Sequence, residues 1–266
     1  MEEKELKNVS IHTIDRYTRT LKDFHDFCIK DEIINVEQIT NSTIKKYLLH
    51  CQNEKGNNAT TKNSKLRVLK SMFNYLLENN YIDEKNNPAK KVHYAREDIK
   101  IEVFNDYHIN QMLNYYRKMK ERSKSFYSVR DYTLILFLLS TGCRLGEVSN
   151  LKWTEVDLNN RVATVFGKKR EHSSIPLVDK IIKELSEFKL YAEEHFKGHV
   201  EYVFPNHKNE QLSPNAIKCI FKRLQKVMAF RDVRLSAHTF RHTMAHRMIM
   251  KGADVSRFKK CLGILT

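Results

Sequence analysis

The sequence lacks the cysteine pattern of a disulfide framework or a zinc knuckle. Its 266 residues include only five cysteines, an odd number, and no two of them form a CxxC pair. This pattern predicts reduced thiols, as in a cytosolic protein. The five positions are Cys28, Cys51, Cys143, Cys219 and Cys261.

Long apolar runs are also missing. The longest, Tyr132 to Leu139, is far below the roughly 20 residues that a membrane-spanning helix needs. The N-terminal residues 1–7 are charged and contain no apolar segment of the kind found in a secretory signal peptide. We therefore expect neither secretion nor membrane insertion.

Acidic residues are too few to balance the basic ones. The chain has 47 lysines and arginines against 32 acids, a formal net charge of +15. Residues 1–95 carry 16 basic and 13 acidic side chains, whereas residues 96–266 carry 31 and 19, so most of the excess lies in the second part. Such a surplus favours a polyanionic partner, since basic side chains displace its condensed counterions. A basic protein without such a partner remains the alternative.

Helical periodicity dominates residues 1–95. Apolar residues recur at helical spacing behind Ser10, behind Thr40 and again from about Thr60 to Glu78. We predict a small all-helical domain. Three lysines lie off the apolar face of the third predicted helix and are candidate DNA contacts, with a solvated helix face as the alternative. They are Lys62, Lys65 and Lys70.

The sequence after residue 95 predicts a linker and a second domain. Residues 96–102 lie in a polar stretch without a strong pattern and are predicted to be a linker. Residues 103–266 then combine helical patterns with one alternating, β-branched segment at 162–166 that favours a hairpin. The buried central helix, about 130–140, should stop at Gly142. The predicted fold class is mainly α with a small antiparallel β-sheet (α+β).

A helix that opens at Ser213-Pro214 carries a stripe of basic side chains. This stripe matches a helix that lies against a nucleic-acid backbone or groove, although such stripes are also common on protein surfaces. Its members are Lys218, Lys222, Arg223 and Lys226.

The most informative stretch is Ser236-Ala-His-Thr-Phe-Arg-His-Thr243. If it is helical, His238, Arg241 and His242 lie on one face of one turn. A permanently charged fork of donors beside an imidazole suits a phosphate. The alternative is a metal site at His238, His242 and His246, but no HExxH glutamate is present and Arg241 would repel a cation.

Arg144 directly follows the predicted buried helix, so we expect it to be deep and to need an anion. Glu147, one turn further on, is one candidate for that anion, and a bound phosphate is the other. Lys168 lies in the predicted hairpin turn, where it could reach a ligand, although a solvated turn is the more common explanation of a lone lysine.

Three motifs together resemble the tyrosine recombinase (phage integrase) family. They are Thr141-Gly-Cys-Arg-Leu-Gly-Glu147, Gly167-Lys168 before a strand, and His238-Thr-Phe-Arg-His242. The resemblance covers nearly the whole chain. It implies a SAM-like helical core-binding domain at 1–95 and a catalytic domain at 103–266. It further implies site-specific DNA integration and recombination, as in transposons and other mobile elements, in the bacterial cytoplasm at the nucleoid.

The resemblance also implies a role for each motif residue. Arg144 and Arg241 would hold the scissile phosphate, Lys168 would protonate the leaving 5′ oxygen, and His238 would assist proton transfer at the nucleophile. No metal or other cofactor is implied, because the bond energy is kept in a phosphotyrosyl link. The implied partners are double-stranded DNA, clamped between the two domains, and further copies of the chain in a tetramer on two DNA sites.

The chain departs from the family pattern near its C-terminus. The family has Leu-Gly-His where this chain has Leu262-Gly-Ile264, and none of the 12 tyrosines stands at the position of the family nucleophile. We therefore expect a truncated or frame-shifted recombinase, or a fragment, that binds DNA but does not cleave it alone. A non-catalytic regulator that occupies recombination sites is the alternative function.

Overall fold

The computed structural model describes residues 9–98, 100–167 and 172–253. It is mainly helical with one three-stranded antiparallel sheet, which confirms the predicted fold class. The chain divides into two compact units, Met1–Ile99 and Lys100–Thr266, each with its own apolar core. Lys168, Cys261 and Ile264 lie outside the described residues, as does the segment 255–262, which the sequence predicts to be a last helix.

The described helices include none that is both long and apolar enough to cross a membrane. Most of them begin at polar N-cap residues, including Ser10 and Thr40, behind which the sequence predicted helices. The Thr40 hydroxyl accepts the backbone N–H of Thr43, which the helix itself leaves unpaired, whereas the Ser10 side chain makes no such bond.

The N-terminal unit is a helical bundle. Phe24, Tyr47 and Phe73 are among the buried side chains that fill its core, and Phe24 meets Tyr47 edge to face with ring centroids 5.0 Å apart. This burial supplies the main stabilisation of so small a unit. Its helices are α1 (Ile11–Lys30), α2 (Asn41–Asn53) and α3 (Ala59–Glu78).

Part of the predicted linker is bound to this bundle. The Asn63 side chain on α3 donates to the carbonyl of Ala95 and accepts from its N–H, both at 2.8 Å. It also donates to the Glu97 carboxylate at 2.7 Å, and the Thr60 hydroxyl donates to the other oxygen of that carboxylate. The chain is therefore fixed as far as Glu97, by polar bonds that leave no apolar pattern in the sequence.

The C-terminal unit is built around α5, which is buried on nearly all sides, as predicted. This helix begins at Phe126, four residues earlier than predicted, with Ser125 as its N-cap, and it ends at Thr141 with Gly142 as its C-cap. The helices of this unit are α4 (Asp106–Ser123), α5 (Phe126–Thr141), α6 (Leu145–Asn150), α7 (Asp179–Phe196), α8 (Pro214–Met228) and α9 (Ala237–Met250).

The sheet of this unit has the strand order β1–β2–β3, with β1 (Val156–Asp157), β2 (Val162–Phe166) and β3 (His172–Pro176). Ala163 on β2 pairs with Ile175 on β3, and both side chains are buried. Alternate residues thus face the core, as the sequence alternation predicted.

Candidate functional site

The stretch singled out by the sequence is helical and forms α9. The Ser236 hydroxyl caps it by accepting the backbone N–H of Thr239. The Phe240 side chain is fully buried, whereas His238 is exposed and His242 is half-buried. The helix therefore carries an inward apolar side and an open side with imidazoles, and Arg241 lies at the border between them.

Arg241 is the deep arginine of the site. It is only 6% exposed, and its Nη1 donates to the carbonyl of Gly142 at 2.8 Å. Gly142 has a φ of 62°, and a Cβ there would lie 3.5 Å from the Arg241 Cα. Glycine permits the left-handed turn after α5, while a Cβ at this position would only be in ordinary van der Waals contact with α9.

The other terminal nitrogen of Arg241 has no partner. Nη2 is buried and makes no hydrogen bond within the described part of the chain. Burial, and then the nearby charge of Arg144, lower the pKa of the Arg241 guanidinium below its usual value. A buried donor without an acceptor costs about 1–3 kcal/mol, and more when it is charged. The site therefore contains a strong donor that an anion would satisfy.

Arg144 is half-buried rather than deep, which corrects the sequence-based expectation. Its side chain is 37% exposed, because the residue is the N-cap of α6 and its backbone is extended. Nη1 donates to Glu147 Oε1 at 2.6 Å, and the Arg144 N–H donates to Oε2 at 2.7 Å. Glu147 is thus an anion that pairs with Arg144, which was one of the two candidates predicted from the sequence.

Two guanidinium groups share one carboxylate in the described part of this site. Glu147 is buried and lies near both guanidinium groups, whose charges it opposes. Among the described residues, one carboxylate thus faces two guanidinium groups beside the unpartnered nitrogen. An anion that arrives there gains both a charge partner and a hydrogen bond.

His242 is the half-buried imidazole next to Arg241. Burial lowers its pKa, and the neighbouring charges of His238 and Arg241 lower it further. The ring is therefore neutral near pH 7, with one nitrogen able to donate and the other able to accept.

The motifs contain two further residues with reactive side chains, Lys168 and Cys143. Lys168 lies outside the described residues, so its place in the site stays a prediction. Cys143, between Gly142 and Arg144, is fully buried, and burial raises the pKa of its thiol to about 12. A thiol with such a pKa is protonated and unreactive at neutral pH.

The metal hypothesis gains no support from α9. Across the ranges that the structure describes, no group of three or more histidine, cysteine, aspartate or glutamate side chains is placed to hold a metal ion. His246 is exposed, one turn beyond His242.

The candidate DNA-contacting lysines of the N-terminal unit all have internal partners. The Lys62 ammonium contacts the side-chain amide oxygen of Gln52, and Lys65 pairs with Asp23. The Lys70 ammonium lies 4.9 Å from the centroid of the Tyr94 ring.

The basic side chains of α8 differ from these. The side chains of Lys218, Lys222 and Lys226 are exposed, on the side of α8 away from the buried Ile217 and Leu224. Arg223 is also exposed, but its Nη2 lies 3.9 Å from an oxygen of the buried Asp131. The lysines are thus the more available cations of this helix.

Comparison with known proteins identifies the family. Residues 103–264 match the phage integrase family, and residues 1–83 match the phage integrase N-terminal SAM-like domain. The first match alone covers more than half of the chain. The protein belongs to the phage integrase family, the tyrosine recombinases, as the sequence motifs predicted.

Individual relatives are distant but extend over nearly the whole chain. Tyrosine recombinase XerC of Leptospira interrogans (serovar copenhageni) is 25% identical over 257 residues, covering 97% of this chain and 80% of the relative. Tyrosine recombinase XerC of Bacillus pumilus is 26% identical over 271 residues, covering 97% of this chain and 83% of the relative.

Solved structures share the fold. XerH site-specific recombinase bound to its palindromic difH substrate has a TM-score of 0.79 at 20% identity, covering 99% of this chain and 76% of that one. The Tn1549 transposon integrase in complex with a circular intermediate DNA has a TM-score of 0.80 at 18% identity, covering 98% of this chain and 89% of that one.

Proposed function

We propose that this protein binds double-stranded DNA and that Arg241 and Arg144 hold one backbone phosphate. The observation that carries the proposal is the buried, unpartnered Nη2 of Arg241. A phosphate oxygen is the acceptor that this nitrogen lacks. Two guanidinium groups also match the planar, two-point recognition of a phosphate better than ammonium groups do.

The family membership makes phosphoryl transfer the reaction to consider at this phosphate. In that reaction a hydroxyl nucleophile attacks the phosphorus and the bond to the 5′ oxygen breaks. We assign Arg144 and Arg241 to the charge that develops on the phosphate oxygens. His238 would take the proton from the nucleophile, and Lys168 would give one to the leaving 5′ oxygen.

We assign the exposed lysines of α8 to neighbouring backbone phosphates. Lys218, Lys222 and Lys226 are spaced four residues apart along the helix and are open to a ligand. Contacts of this kind fix position on the duplex but do not read its sequence. A tetramer on two DNA sites is the assembly that we propose for the complete reaction.

The test of DNA binding is fluorescence anisotropy with a labelled duplex over a range of salt concentrations. The wild-type affinity should fall steeply as salt rises, because binding releases counterions. Arg241→Lys keeps the charge but loses the fork of donors, so the affinity should fall roughly 10- to 100-fold, the equivalent of one charged hydrogen bond.

Arg117→Lys is the matched control for this change. Arg117 is exposed on α4 and contacts only Asn114 among the described residues, so its replacement should leave affinity within twofold. Equal effects of the two substitutions would reject the phosphate site. A wild-type protein that does not bind duplex DNA even at low salt would reject DNA binding altogether.

A second candidate function, binding without cleavage, is favoured by one residue. The family has histidine where this chain has Ile264, and an isoleucine side chain neither donates nor accepts a hydrogen bond. A nicked suicide substrate distinguishes the two functions. An SDS-stable protein–DNA adduct would establish cleavage by this chain, whereas binding without an adduct supports the regulator.

A further inference from the structure

The chain enters the C-terminal unit at the helix that carries Arg241. The backbone N–H of Phe104 donates to the hydroxyl of Thr243 on α9 at 2.8 Å. Thr243 is 1% exposed, and its hydroxyl in turn donates to the carbonyl of Thr239 at 2.8 Å. This bond joins residues 139 positions apart in the sequence. It lies two residues from Arg241, on the same turn.

The Phe104 side chain reinforces the bond. It is 3% exposed, and its ring centroid lies 4.9 Å from that of Phe240. Phe240 packs in turn against Phe221 on α8, with centroids 5.5 Å apart. Phe104 therefore contacts the residue next to Arg241, and a single further ring links it to the helix with the lysine stripe.

A second bond holds the same entry segment. The Glu102 carboxylate accepts the backbone N–H of Arg234 at 2.8 Å, just before α9 begins. Residues 102–104 are therefore held by two hydrogen bonds to α9 and to the segment just before it.

We propose that Thr243 is a positioning residue for the phosphate site. Through its bond with Phe104 it fixes the turn of α9 that carries Arg241. The inference rests on the proposed phosphate site. It adds that the segment 102–104, at the start of the C-terminal unit, helps to position Arg241.

The physical basis is the cost of losing the hydroxyl. Without it the buried N–H of Phe104 has no acceptor, and the entry segment must shift to find one. The shift moves Phe104 against Phe240, and α9 moves with it. A guanidinium that binds a phosphate at two points tolerates displacements of only about half an ångström.

The test compares three substitutions in the full chain. Thr243→Val keeps the shape of the side chain but removes the hydroxyl, and Thr243→Ser restores the hydroxyl. Thr133→Val is the matched control. Thr133 is also a fully buried helical threonine whose hydroxyl donates to the carbonyl four residues earlier, here Val129 at 3.1 Å, but it does not contact the entry segment. The Thr133 hydroxyl also donates to Oε1 of Glu184 at 3.3 Å.

Duplex affinity, its salt dependence and the melting temperature are measured for each variant. We expect Thr243→Val to weaken binding about tenfold and to reduce the slope of log affinity against log salt by about 0.9, the contribution of one phosphate contact. Thr243→Ser should bind within about twofold of wild type. Thr133→Val should lower the melting temperature but leave affinity and slope unchanged.

Two results would overturn the proposal while leaving the phosphate site intact. One is wild-type affinity and slope in Thr243→Val. The other is an equal loss of affinity in Thr133→Val, which would show a general effect of destabilisation. Failure of the wild-type protein to bind duplex DNA would instead reject the proposed function itself, and the inference with it.

Discussion

The two units each contain a cluster of two cations around one carboxylate, and the clusters differ in how their donors are satisfied. In the N-terminal unit, Lys55 and Lys65 both contact Asp23, which also accepts from the hydroxyl of Tyr47 at 2.9 Å. In the C-terminal unit, Arg144 and Arg241 lie near Glu147. A count of charges does not separate the two.

Hydrogen bonding does separate them. Both lysine ammonium groups contact Asp23, and the Lys55 side chain is 40% exposed, so water reaches it. Arg241 Nη2 is sealed from water and has no acceptor within the residues that the structure describes. The first cluster is therefore complete without a ligand, whereas the second is not, and this difference rather than net charge marks the candidate site.

The largest expected effect is on the stability of the N-terminal cluster. Burial alone would raise the pKa of Asp23, but hydrogen bonds from Lys55, Lys65 and Tyr47 outweigh it and lower the pKa to about 2. Against an ordinary value of 3.8, this shift corresponds to about 2 kcal/mol of stability at pH 7. Asp23→Asn should lower the free energy of unfolding by about that amount, measured by urea denaturation.

The stabilisation by Asp23 should decrease as the pH falls. Because the folded pKa is lower than the unfolded one, the contribution of Asp23 is complete above about pH 4 and is lost as the pH falls through about 2. The difference between Asp23→Asn and wild type should therefore shrink from pH 7 to pH 3. Asp26→Asn, at an exposed position of the same helix, is the control and should change stability little. A difference that does not depend on pH would contradict the ion-pair explanation.

Removing the charge of Arg241 should stabilise the protein, in contrast to removing the charge of Asp23. Arg241→Met should raise the free energy of unfolding by about 1 kcal/mol, because it removes an unsatisfied buried donor and the repulsion from Arg144. The gain is limited, since the Gly142 carbonyl loses its partner. The same variant should bind duplex DNA more weakly, as expected where function is built on a destabilising residue.

Lys65→Met is the comparison for this change. It removes a cation that is 16% exposed and paired with Asp23, so it should lower stability. Thermal melting of both variants measures the contrast. If Arg241→Met were clearly destabilising, Nη2 would have a partner in the free protein and the distinction between the two clusters would fail.

The local features of the fold were predictable from the sequence because their causes are local. Ser213-Pro214 starts a helix and Gly142 ends one, each through its own backbone preference. The depth of the two arginines was not predictable in this way. Arg144 borders a buried helix but caps the next one at the surface, whereas Arg241 lies on a helix of mixed character and is buried.

Contacts between distant residues were also beyond the sequence. Lys65 was a candidate for DNA binding, but its partner Asp23 is 42 residues away. The bonds of Asn63 to Ala95 and of Phe104 to Thr243 likewise join distant segments through a single polar atom. Such bonds leave no periodic pattern, so only the folded structure reveals them.

The smallest expected effect separates exposed lysines from internally paired ones. Lys222→Ala should reduce the slope of log duplex affinity against log salt by about 0.9, because Lys222 is exposed on α8 and would contact one phosphate. Lys65→Ala should leave the slope unchanged and lower the melting temperature instead, since its ammonium already pairs with Asp23.

Both slopes come from anisotropy titrations of one duplex at four or more salt concentrations. Lys183→Ala, an exposed lysine on α7 outside the proposed contacts, is the control for a general loss of positive charge. If Lys65→Ala reduced the slope as much as Lys222→Ala, Lys65 would leave Asp23 for a phosphate when DNA binds. The N-terminal cluster would then be a second phosphate site, and internal pairing in the free protein would no longer mark a cation as structural.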